Sequence, residues 1–262
     1  MDHQEIFNQV YRSNRWIFGS GTGAVTANNR PYLRFLQDLL DGHPEIRSVL
    51  DVGCGDWQIG SQIRWGERDY LGLDCSDYIL DATRARHGGG RIRFAVGNAV
   101  LDPLPPADLL ILKDVLEHLS HADIATLLEK ARSYPFVLIQ NDIGLLVTAN
   151  HDIATGGYRA VDVRQPPFAF AASRTATYLE RHLLALLWTL GLGGGYALLA
   201  TGGAPPALAA FGAAVAACLA LVPRKGICLR TPPTSGTPPT GDAPASDSAP
   251  APGTPPSCGS LQ

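Results

Sequence analysis

Five short apolar runs, separated by stretches that suit helices, constrain this chain more than any other feature. They read SVLDV at 48–52, DYLGL at 69–73, RIRFAV at 91–96, DLLILK at 108–113 and FVLIQ at 136–140. Runs of this length match strands rather than buried helices. Between most of them lie segments such as SHADIATLLEKA at 120–131, which suits a helix. The link after RIRFAV is short and Pro-rich, and no helix is expected there. Ahead of the first run, Tyr32, Phe35, Leu36, Leu39 and Leu40 recur at helical spacing, with Asn29 as cap, Pro31 in the first turn, and Gly42 and Pro44 ending the helix. Strands alternating with helices build an α/β fold around a doubly wound, mostly parallel sheet.

Composition divides the chain into zones. Residues 1–30 are polar, with the cluster GSGTG at 19–23, and read as a lid segment. Residues 31–182 carry the alternating pattern. Residues 183–222 contain no charged side chain, and residues 231–262 are rich in Pro, Thr, Ser, Gly and Ala. The last zone has too little apolar surface to offset its ordering entropy, so a disordered tail is expected. A membrane helix needs about 20 apolar residues. Residues 183–201 and 207–222 meet that roughly, with Pro205 and Pro206 as the turn. Arg181 before and Arg224 and Lys225 after would keep both ends of such a hairpin in the cytoplasm. A segment packed on the domain would equally lack charge, and either HLLALLW or KGICLR could supply a last strand.

Net charge is −3, so a nucleic-acid partner held by phosphate contacts is not favoured. The five cysteines, at 54, 75, 218, 228 and 258, form no CxxC pair, and no metal site is assigned. The first residues lack the apolar core of a signal peptide. The expectation is a cytoplasmic protein, membrane-associated if the apolar zone inserts.

The first apolar run ends in Asp51-Val52-Gly53-Cys54-Gly55. In a doubly wound sheet, ligands sit beyond the carboxyl ends of the strands. Glycines there let a ligand approach the backbone. A dinucleotide site would need a third glycine, but the sequence continues Asp56-Trp57-Gln58. Asp51 and Asp56 suit a cationic ligand better than a pyrophosphate. A nicotinamide oxidoreductase is therefore the weakest reading.

Over residues 45–142 the sequence resembles the class I S-adenosylmethionine-dependent methyltransferases. The first motif is Asp51–Gly55, and Asp74 at the end of YLGLD is similar to the second. Gly97-Asn98-Ala99 resembles the adenine segment, and DLLILKDVLEHL the fourth strand with the loop facing the transferred methyl. The resemblance implies a Rossmann-like fold with S-adenosyl-L-methionine as cofactor. It implies cofactor contacts at Asp51, Gly53 and Gly55, with Asp74 on the ribose hydroxyls. Asn98, where Asp is commoner, would accept from the adenine amine. A narrower similarity, carried by GSG, GCGDWQ and NDI…GGYR…PPF, is to a bacterial-type methyltransferase group; it implies that Gly19-Ser20-Gly21 closes over the cofactor's amino-acid end.

At the reacting end the candidates are Lys113, Asp114, Glu117 and His118. His118 has the most suitable ordinary pKa for a base, with Asp114 beside it. Asp152, Arg159 and Asp162 are candidates for the acceptor pocket. Gln165-Pro166-Pro167-Phe168 reads as a rigid turn, and Cys54 as a small apolar residue without chemistry. The acceptor is expected to be a small molecule. The second function considered is a module that binds S-adenosylmethionine or a nucleotide without turnover.

Overall fold

The computed structural model describes residues 2–16, 19–144, 149–179 and 224–232. Seven strands form one sheet: β1 (Ser48–Val52), β2 (Asp69–Asp74), β3 (Ile92–Val96), β4 (Leu109–Lys113), β5 (Phe136–Asp142), β6 (Arg174–Leu179) and β7 (Arg224–Arg230). Their spatial order is β3-β2-β1-β4-β5-β7-β6. The first five pair in parallel, and β7 runs antiparallel between β5 and β6. The helices are α1 (His3–Arg12), α2 (Arg30–Gly42), α3 (Asp77–His87) and α4 (His121–Ala131). As expected, no helix joins β3 to β4.

Successive strand residues feed two cores because both faces are covered. Val49, Leu109, Ile111 and Leu138 pack with Leu36, Leu40 and Leu80 on one face. Leu50, Leu110, Leu112 and Val137 pack with Phe7, Ile124 and Leu127 on the other. Near-continuous apolar strands are the signature of a sheet covered on both sides. Ser76 and Ser120 cap α3 and α4, accepting from the N–H groups of Ile79 and Asp123. Asn29 differs from expectation. It stands at the cap position of α2, but its amide donates to the carbonyls of Gly23 and Val25 and so holds the preceding loop.

The sheet also continues past residue 182. KGICLR lies in β7, and β6 is a strand that the apolar pattern did not single out. Residues 183–222 and the tail from 233 lie outside the described residues. Thr231 is described, and its N–H donates to Ser173 Oγ. Among the described residues no helix is long and apolar enough to cross a membrane.

Candidate active site

Strand order reverses at β1, which has β2 on one side and β4 on the other. Beyond their carboxyl ends lies a cavity of about 470 Å³. Its floor is the turn after β1. Gly53 there has φ +72°, and a side-chain carbon would overlap a methyl of Val115. Its N–H donates to Leu73 O at 2.7 Å. Gly55 has φ +54°, and its N–H reaches Asp74 Oδ2 at 3.0 Å. Only glycine takes both the left-handed backbone and the close approach.

Asp74, at the end of β2, is buried and accepts from Gly55 N–H on one oxygen and Ser76 N–H on the other, at 2.9 Å. Each oxygen keeps a lone pair. Burial raises its pKa, opposed by those N–H groups. Asp51 accepts from the Tyr70 hydroxyl at 2.6 Å, and burial raises its pKa to about 6. Both carboxylates line the cavity, and a cationic ligand would relieve their desolvation.

The front segment is stapled to this floor. Ser20 N–H donates to Asp56 Oδ2 at 3.2 Å, and Asp56 N–H donates back to Ser20 Oγ at 3.1 Å. Gly21 lines the cavity, whereas Gly19 and Gly55 do not. Asn98 also lines it, but its amide oxygen accepts from the N–H groups of Val100 and Leu101 at 3.1 and 3.2 Å. Its buried NH₂ has no partner. The side chain therefore turns a donor without a partner toward the cavity, while the local turn engages its oxygen.

Past β4, Asp114 adopts φ +53° and turns its carboxylate between two lysines. Lys113 Nζ lies 2.6 Å from Oδ2, and Lys225 Nζ 3.1 Å from Oδ1. Against the burial that would raise it, these ammonium groups hold Asp114 below the usual carboxylate range. His118 ends a short 3-10 turn, Leu116–His118. Its Nδ1 is 2.9 Å from Gly157 O, its ring centroid 4.6 Å from that of Trp16, and burial lowers its pKa to about 4.

The chain also carries a sequence signature for this geometry. Residues 49–134 match the methyltransferase domain family. None of the curated proteins matches the sequence. Among solved structures, the chain is similar to a Haemonchus contortus phosphoethanolamine N-methyltransferase in complex with phosphomonomethylethanolamine and S-adenosylhomocysteine. That match has 15% identity, covers 89% of this chain and 61% of that one, and has a TM-score of 0.55. A Leishmania major SAM-dependent methyltransferase matches at 12% identity over 87% of this chain and 81% of that one, also at TM-score 0.55. Human N-acetylserotonin methyltransferase in complex with SAM matches at 18% identity over 55% and 43%, at TM-score 0.37. The chain spans less than two thirds of the nematode and human enzymes. At these identities the two longer matches show the fold, which is the Rossmann-like class I methyltransferase fold.

The segment after β5 does two things. Tyr158 enters the cavity, its hydroxyl donating to Asp142 Oδ2. Asp152, Arg159 and Asp162 take part in contacts outside it. Buried Arg159 donates to the carbonyls of Leu116, Leu119 and His151. Asp152 accepts from the N–H groups of His121 and Ile153, and Asp162 pairs with Arg164 at 2.7 Å. Sequence reasoning missed Lys225, Asp142 and Tyr158. Lys225 follows the long uncharged zone, so nothing local to it signals a neighbour of β4.

Proposed function

We propose that this protein is a methyltransferase that transfers a methyl group from S-adenosylmethionine to a small-molecule acceptor. The observation that carries the reading is the pair of carboxylates, buried Asp74 and half-buried Asp51, on a glycine floor where β1 and β2 end. The donor set fits that cofactor. Carboxylates suit a ligand bearing an ammonium and a sulfonium. The Gly53 turn brings bare backbone to the cavity floor, and the orphaned Asn98 amide supplies a donor for a ring nitrogen of adenine. The cofactor supplies an electrophilic methyl group.

Asp74 would hold the ribose hydroxyls with the lone pairs left free by Gly55 and Ser76. Asp51 would face the amino-acid end, with the Ser20–Gly21 segment closing over it. Trp16 lies tilted against His118, their ring centroids 4.6 Å apart, and would wall the acceptor end. Asp114 and His118 border that end, His118 as a neutral ring. Asp152, Arg159 and Asp162 support the loop that carries Tyr158, and through it shape the acceptor space.

A membrane contact through residues 183–222 extends this reading. Their attachment points, Leu179 and Arg224, are register partners. Arg224 is followed by Lys225, which pairs with Asp142 at the cavity. A membrane held by that segment would lie on the cavity's side of the sheet.

Calorimetric titration of the full-length protein with S-adenosylmethionine and S-adenosylhomocysteine tests the assignment. Binding of both, weakened at least tenfold by Asp74→Ala, is the expected result. A folded protein that binds neither would refute it.

A further inference from the structure

The acceptor end of the cavity gathers three carboxyl groups and an imidazole, and their hydrogen bonds set them apart. Asp114 has both oxygens engaged, Oδ2 by Lys113 Nζ and Oδ1 by Lys225 Nζ and by Gln140 Nε2 at 3.1 Å. Asp142 accepts from Gly144 N–H on Oδ1 and from the Tyr158 hydroxyl on Oδ2. His118 is committed to Gly157 through Nδ1 and, with its pKa near 4, is a weak base at neutral pH.

Glu117 is different. Asp142 N–H donates to its Oε2 at 2.6 Å, which fixes the carboxylate. Among the described residues Oε1 accepts no hydrogen bond. Its nearest cationic neighbours are Lys225 Nζ at 3.7 Å and His118 Nε2 at 3.9 Å. The residue is buried and lines the cavity.

We propose that Glu117 Oε1 takes the proton released by the acceptor, so that the acceptor is a hydroxyl or an ammonium that reacts on losing a proton. The inference rests on the methyl-transfer reading of the same site. In the step, a bond forms from the acceptor oxygen or nitrogen to the methyl carbon while the methyl–sulfur bond breaks. The electron pair of that bond stays on sulfur as a neutral thioether. The acceptor's proton passes to Glu117 and then to solvent.

Groups from every neighbouring element face this carboxylate. They are Lys225 from β7, Asp114 after β4, Asp142 on β5, Tyr158 and Arg159 from the following loop, and His118 on its own turn. Burial pushes Glu117 up to about 7; Lys225 acts against that, and Asp114 and Asp142 add to it. Two carboxyl groups sharing one ammonium thus have opposite tendencies, Asp114 ionised and Glu117 poised near neutrality, the pattern of a proton acceptor beside a fixed charge. A sulfonium arriving next to Glu117 favours its ionised form. Cofactor binding therefore prepares the base before the acceptor arrives.

The test needs no acceptor. Full-length protein is titrated with S-adenosylmethionine and with S-adenosylhomocysteine, which lacks the sulfonium charge, at intervals from pH 6 to pH 8. The ratio of the two affinities should rise about tenfold over that range for a group of pKa near 7 that is ionised in the complex. Glu117→Gln should flatten the rise while still binding S-adenosylhomocysteine. The cofactor's own amino group contributes equally to both proteins and cancels in their comparison. Binding of both ligands with a flat ratio in the wild type overturns the role of Glu117 and leaves the cofactor assignment intact. A rise that persists in Glu117→Gln but disappears in Asp51→Asn assigns the proton to Asp51 and overturns it too. Binding of neither ligand overturns both readings. Should Glu117→Gln not fold, proton release by the wild type, measured at pH 7 in two buffers of different ionisation enthalpy, decides the matter: about half a proton with S-adenosylmethionine alone supports it, and equal release with both ligands rejects it.

Discussion

Lys225 Nζ lies 3.1 Å from Asp114 Oδ1, although 111 residues separate them in sequence. The contact ties the last strand of the sheet to the loop that borders the cavity. Both side chains are nearly buried, so removing Lys225 leaves Asp114 with Lys113 alone to offset its charge in a medium that solvates it poorly. Lys225→Met should lower the stability of the folded protein by about 3 kcal/mol. Urea denaturation at pH 7.5 measures this, and a loss below about 1 kcal/mol would mean that the pair is solvated.

The place of β7 makes a second prediction. A chain ending at residue 182 keeps β6 but loses the strand that joins it to β5. Buried Ile227, Cys228 and Leu229 go with it, exposing apolar residues of β5. Such a chain should be insoluble or lack a cooperative thermal transition. Replacing residues 183–222 with a short Gly-Ser link, with β7 retained, should restore that transition. Circular dichroism melts of the two proteins decide it.

Arg159 and Asp162 should behave oppositely. Arg159 is buried and bonds three carbonyls around the turn that holds Glu117 and His118, whereas Asp162 pairs with its near neighbour Arg164. Hydrogen bonds to a charged group contribute about 1.5–3 kcal/mol each. Arg159→Ala should cost about 3 kcal/mol and weaken cofactor binding, and Asp162→Asn should cost less than about 1 kcal/mol. Denaturation and calorimetry on both variants check this; equal effects would contradict it.

Stability should fall as pH rises from about 4.5 to about 7. Glu117 and Asp51 have folded-state pKa values pushed up to about 7 and about 6. Their ordinary values are about 4.3 and 3.9. In that window the two carboxyl groups bind more protons in the native state than in the unfolded chain and together outweigh His118, whose lowered pKa acts the other way, so raising the pH favours unfolding. Asp114 has the opposite sign: its pKa is lowered, so its contribution is present at neutral pH and lost only as pH falls below the usual carboxylate range. Glu117→Gln, whose amide oxygen still accepts from Asp142 N–H, should remove part of the decline, on the order of 2 kcal/mol between pH 5 and pH 8. Urea midpoints at those two pH values measure it. An unchanged slope would place the titration elsewhere.

Much of the nucleotide-like half was legible because its signals are local. A strand that ends in Gly-Cys-Gly, and an acid at the end of the next strand, sit within a few residues of the features they serve, and the structure brings Asp51, Gly53 and Asp74 to one floor. The acceptor half was less legible because its neighbours come from distant segments. β6 is a strand of Thr and Tyr with little apolar alternation, and Lys225 reaches the site only through antiparallel pairing with β5. Arg159 stood in the sequence as a candidate for the acceptor pocket, and only the structure shows it buried and bonded to the carbonyls of Leu116, Leu119 and His151. Asn98 lines the cavity, but the orientation of its amide depends on two backbone N–H groups that sequence alone does not point at it.

The register pair Leu179–Arg224 closes a hairpin whose two ends leave the sheet side by side. Closing entropy grows only with the logarithm of loop length, so such a junction accepts insertions of very different size at little thermodynamic cost. It is a port in the architecture. Whatever is spliced there, whether an anchor, a partner-binding module or an engineered reporter, is delivered to the rim where Asp142 and Lys225 pair, while the glycine floor on the other side of β4 keeps its own connections.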